Sequence, residues 1–118
     1  MGIARSILTA SAAVLLAAMP SLAHHRIEAQ FDPHRPVMLR GTITKIAWIN
    51  PHVEFFVEVM DATGTMSWTL EMGSPNQQLM KGWKIDTLKQ GDHVLVDAYP
   101  ARDGSNLAYA TKVTRTAR

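Results

Sequence analysis

After the Asn50-Pro51 dipeptide comes the cleanest alternation in the sequence, and it commits this part of the chain to a β fold. Val53, Phe55, Val57 and Val59 fall on one face, with Glu54, Phe56, Glu58 and Met60 on the other, which is the period of a half-buried strand. Pro51 has φ near −65° and no N–H, and it pushes Asn50 out of the helical region, so the ladder must break at this corner. The corner closes one apolar run at Trp48 and opens the next with an imidazole, His52. It sets the register of a core and leaves a polar group at its rim.

The neighbouring stretches fit the same sheet. Met66, Trp68, Leu70 and Met72 repeat the pattern beyond Asp61-Ala62-Thr63-Gly64, a turn with Gly at its last position, so the two runs form a hairpin. Upstream, Val37, Leu39, Gly41 and Ile43 alternate as well, but Ile46 and Trp48 are apolar where polar residues are due. One extra residue near Thr44-Lys45 restores the parity, as a bulge that bends a long strand, and Gly41 eases the coiling. Ser74 as N-cap and Pro75 at the first helical position start a short helix ending at Gly82, with Leu79, Met80 and Trp83 as its apolar contacts. Ile85 and Leu88 mark a second helical turn before the tight turn Lys89-Gln90-Gly91-Asp92. Residues 93–99 and 107–114 are the fourth and fifth strands, joined by a turn-rich loop. Three strands, a helix and two strands, with a bent first strand, is the plan of the mostly-β, five-stranded Greek-key barrel of OB type. An open α+β sheet competes; the parity slip and the helix between strands three and four favour the barrel.

The start of the chain speaks to compartment. Arg5, an apolar run over residues 7–19, and the exit Pro20-Ser21-Leu22-Ala23 have the layout of a cleaved export signal over residues 1–23. The run is short for a bilayer of about 30 Å, so an uncleaved anchor is the lesser reading. No Cys precedes the exit, which excludes a lipoprotein. Removing 23 residues from 118 leaves 95: an arm over residues 24–36 and a barrel domain over residues 37–118. The expected location is the periplasm or the exterior, with no membrane span after cleavage. With no cysteine in the chain, such a domain must hold by packing alone. Losing Arg5 leaves 11 basic against 10 acidic side chains, which is not the basic footprint of a nucleic-acid binder.

Several short strings are taken together: His24-His25, Phe31-Asp32, Leu39-x-Gly41, Lys45, Trp48-x-Asn50-Pro51-His52, Gly73-Ser74-Pro75-Asn76, Gly82-Trp83 and Leu88-x-x-Gly91-Asp92. In combination the chain resembles a family of small exported bacterial proteins catalogued only as domain of unknown function 6152. The resemblance covers the whole mature chain. It implies an exported OB-like barrel and no activity. The chain departs from the family pattern at Arg26-Ile27, where a small residue or an aromatic is expected soon after the paired histidines.

Three histidines carry the candidate chemistry. If cleavage falls after Ala23, His24 offers an α-amine and an imidazole that can chelate one metal, and His25 or His52 can supply a third nitrogen. A planar three-nitrogen set suits Cu(II), which stands highest in the divalent affinity order. The arm from Arg26 to Pro36 is 11 residues and spans at most about 36–40 Å. Laid back along a first strand of roughly 40 Å, it reaches the corner, so the lengths permit the meeting without requiring it. The bland alternatives are a solvated terminus and a His52 that bonds a loop carbonyl. His34 between prolines and His93 on an outward position are expected to be exposed. Trp48, Phe56, Tyr99 and Tyr109 are candidates for an outward ligand groove, the alternative being cross-strand pairs. Glu54, Glu58 and Glu71 read as a solvated acidic face. No serine with a His-Asp partner, no Gly-rich strand-to-helix loop and no isolated carboxylate pair points to an enzyme. The expectation is an exported binding module for copper, or else a non-metal domain that holds an envelope protein or a small apolar ligand in its groove.

Overall fold

The computed structural model describes residues 26–116; His24, His25 and the stretch expected to be an export signal lie outside them. Five strands, β1 (Val37–Ala47), β2 (Glu54–Asp61), β3 (Gly64–Glu71), β4 (His93–Pro100) and β5 (Leu107–Arg115), close a barrel in the order β1-β2-β3-β5-β4. A helix, Pro75–Met80, lies between β3 and β4. β1 pairs with both β2 and β4, and the barrel shuts through a short parallel contact between β3 and β5. This is the expected OB-like plan.

The parity slip in β1 is a bulge. Ile43 pairs with Val57 and Lys45 with Phe56, so Thr44 is the extra residue. Where β1 coils across β2, Gly41 has no room for a side chain: a Cβ there would lie 2.1 Å from the Glu58 carbonyl oxygen. The inward faces meet in one core of Leu39, Ile43, Val53, Phe55, Val57, Leu70, Val94, Val96, Ala98 and Ala108. Burial of each large apolar side chain contributes about 1.5–3 kcal/mol, which is how a domain without disulfides holds together.

The segment after β3 differs from the sequence-based expectation. Ser74 caps the helix in a full capping box with Gln77, as its sequence dictates. Yet the side chain that turns inward is Gln78, while Leu79 and Met80 are 52% and 88% exposed. The cap fixes the phase of a six-residue helix, and Trp83 folds back beneath it, its N–H donating to the Gln78 carbonyl at 2.9 Å. Trp83 thus covers the core in place of Leu79 and Met80. Residues 84–89 form turns rather than a helix, held by the Lys84 N–H donating to Thr87 Oγ1 at 2.7 Å. Leu88 is buried there and Ile85 exposed.

The arm also takes another path. A closed barrel leaves β1 no open edge, so the arm packs where β4 runs into β5. Phe31 bridges Ala101 and is 1% exposed, with its ring 5.8 Å from that of Tyr109. The Asp32 N–H donates to the Pro100 carbonyl, and the Arg102 N–H to that of Gln30. Ile27 is half-buried one helical turn ahead of Phe31. The arm is therefore pinned from residue 32 back to residue 26.

Candidate site at the Asn50-Pro51-His52 corner

His52 sits in the link between β1 and β2, just after the Asn50-Pro51 peptide bond, which is cis. The link is fixed from the far side. The Val53 N–H donates to the Gly73 carbonyl at 3.0 Å, and the Met72 N–H donates to the Val53 carbonyl at 2.8 Å. With Val53 buried as an anchor, its neighbour His52 points to the barrel's outer rim, half-buried.

Two charged residues meet it there. Glu71, at the end of β3, is 7% exposed, and its Oε1 lies 3.3 Å from His52 Nδ1. Arg26 reaches over from the arm, its Nη2 bonded to His52 Nε2 and 3.4 Å from Glu71 Oε1. A guanidinium can only donate, so His52 Nε2 is the acceptor and carries no proton. The proton of the neutral ring is then on Nδ1, facing the Glu71 carboxylate. A carboxylate behind one ring nitrogen is the arrangement that orients histidine ligands at metal centres and keeps the other nitrogen basic.

The sequence placed Glu71 on a solvated face with Glu54 and Glu58, but the arm covers it. Arg26 was visible only as a departure from the family pattern. That departure marks the residue that contacts His52.

Next to the three residues opens a cavity of about 740 Å³, whose walls include Arg26, Pro51, His52, Ser74, Lys81 and Tyr109. Tyr109 is half-buried, and burial, followed by the charge of Glu71, pushes its phenol above the usual range, with Arg26 partly offsetting this. Tyr109 is thus a neutral hydrogen-bonding group at neutral pH.

The other residues singled out by sequence are dispersed. Tyr99 sits opposite Tyr109 in the β4–β5 ladder. Phe56 lies on the outer face, with Lys45 Nζ 5.7 Å from its ring centroid. Trp48 packs partly buried against the core. His34 is exposed, and His93 is exposed with Nδ1 3.2 Å from Thr42 Oγ1. Of the four aromatics, Tyr109 shares a cavity with His52. Among the described residues no three His, Asp or Glu side chains gather closely enough to hold a metal.

The model of a family of unknown function, DUF6152, matches residues 12–110. No curated protein matches the chain significantly. Among solved structures, the barrel is similar to a mitochondrial single-stranded DNA binding protein of S. cerevisiae, Rim1, in two forms. The TM-scores are 0.53 and 0.52 at 12% and 11% identity, over 69% of this chain and 92% and 91% of the other. At that identity the likeness is one of fold.

Proposed function

Since the chain belongs to the family of unknown function DUF6152, which brings no activity with it, we propose a function from the rim of its barrel. The protein is an exported, non-enzymatic binding module that takes Cu(II) at His52 Nε2. The α-amine and imidazole of His24 complete the set, with His25 assisting.

One observation carries this reading: His52 stands between Glu71, at its Nδ1, and, at its Nε2, the residue that directly follows His25. Two peptide units separate His24 from Arg26, a Cα distance of at most about 7 Å. The arm, pinned by Phe31, holds Arg26 at the corner. Nitrogen donors favour Cu(II) over the other divalent first-row ions. Arg26 must leave Nε2 for the metal to bind, and Glu71 keeps it near. The near-balance of 11 basic and 10 acidic side chains after Ala23 supports a small ligand over a nucleic acid.

The test begins with exported protein whose intact mass shows His24 to be the first residue. Calorimetric titration with Cu(II) is expected to give at least micromolar affinity, lost in His24→Ala and weakened in His52→Ala. Protein carrying a Met before His24 should not bind. Equal binding by parent and both variants would make the histidines bystanders and leave the rival reading, a docking domain for an envelope protein. That rival draws on Leu79 and Met80, exposed on the helix beside the cavity.

A further inference from the structure

The cavity is far larger than a metal ion needs. A copper ion and its donors occupy a small fraction of about 740 Å³, a volume within the range of small-molecule pockets. The walls have two characters. Ile27, Pro51 and Met80 are apolar, whereas Arg26 and Lys81 bring cations.

The charges do not balance. His52 is neutral in the hydrogen-bonded arrangement, and Glu71 behind it is met by a single nitrogen of Arg26, Nη2. Among the described residues, Nε and Nη1 of Arg26 have no partner, and the Lys81 ammonium has no carboxylate partner. Two cations against one carboxylate leave a net positive charge around an apolar wall, with the Tyr109 hydroxyl at hand as a donor. The Nε and Nη1 N–H groups of Arg26 can each donate a single charge-assisted hydrogen bond to a carboxylate.

We infer that this cavity binds a small organic anion, a carboxylate carried on an apolar body. The carboxylate lies between Arg26 and Lys81, and the apolar part lies against Ile27, Pro51 and Met80. The inference shares with the copper reading only the place of the site, and it needs no metal.

Its test is therefore run on the exported protein in EDTA. Hexanoate is titrated into ¹⁵N-labelled protein, with 1-hexanol as the uncharged control. Saturable amide shifts are expected at Ser74, Gln77, Lys81 and Tyr109, with a millimolar Kd appropriate to a ligand of about eight heavy atoms. Lys81→Glu, at an exposed helix end, should weaken hexanoate at least fivefold while leaving the rest of the spectrum in place. Hexanol binding as well as hexanoate, shifts confined to other faces, or no saturation by about 50 mM would each overturn the inference, since a millimolar ligand saturates well below that. None of these outcomes bears on the Cu(II) titration, and a failed Cu(II) titration does not touch this one.

Discussion

Glu71 Oε1 stands 3.3 Å from His52 Nδ1, and the same oxygen lies 3.4 Å from Arg26 Nη2. One nearly buried carboxylate therefore faces both a loop imidazole and the guanidinium of the arm. Sequence separations of 19 and 45 residues are spanned by a single oxygen atom.

The first prediction concerns that oxygen. Glu71→Gln is expected to free the His52 ring, and ¹⁵N imidazole shifts should move from the Nδ1–H form of the parent toward a mixture. Glu71→Ala should cost about 1–2 kcal/mol in urea denaturation, below the usual figure for a charged hydrogen bond because Arg26 is 55% exposed. An unchanged ring tautomer in both variants would contradict the assignment.

Phe31 is the anchor of the arm. Phe31→Ala removes a side chain 1% exposed, at a cost of about 2–4 kcal/mol, less than for a central core Phe because the arm can lift off. Limited proteolysis should then cut within residues 26–36 while the barrel stays intact. Resistance equal to the parent would show that the hydrogen bonds at Asp32 and Arg102 hold the arm unaided.

Gly41 tests the coiling of β1. A methyl group there meets the Glu58 carbonyl oxygen at 2.1 Å and Val57 Cγ1 at 2.6 Å. One contact is backbone, so the strands must part, and Gly41→Ala is expected to destabilise by about 2–3 kcal/mol, read from the urea midpoint. A neutral result would mean that β1 and β2 have slack at this crossing.

Tyr109 gives the pH dependence. Burial first, then the charge of Glu71, raise its phenol above 10.0. A group raised in the folded state stabilises it fully below the unfolded value, and that share is lost as pH rises through the folded value. Stability should therefore fall above about pH 10. The chain has two tyrosines, so in Tyr99→Phe the absorbance at 295 nm follows Tyr109 alone. Its midpoint should lie above 10 and drop when Glu71→Gln is added; a midpoint at or below 10 in Tyr99→Phe would refute the assignment.

What sequence could reveal follows from the range of each interaction. Strand parity is local, so β2, β3 and the Thr44 bulge were legible, as was the Ser74-Pro75 helix start. A second register shift, between Asp97 and Ala98, makes Thr111 of β5 the extra residue, and its trace in the sequence is Val113 standing three places after Ala110. The helix contacts differ from expectation because apolar content at Leu79 and Met80 says nothing of which way a six-residue helix is rolled. The site was half legible. Pro51 marked His52, but Glu71 looked like one of three solvated glutamates until the arm was laid over it. Nothing local to residue 26 or residue 71 encodes their meeting; it follows from the barrel closing and from Phe31 docking beside Tyr109.

Barrel closure rests on three pairs, Thr69 with Leu107, Leu70 with Ala108 and Glu71 with Tyr109. The hairpin beside it has eight. The hoop is thus fastened by a narrow clasp, and the clasp ends on the residue that backs His52 and the residue that walls the cavity. Whatever settled there would pull on the fastening itself, so its effect would reach the whole cylinder through these pairs.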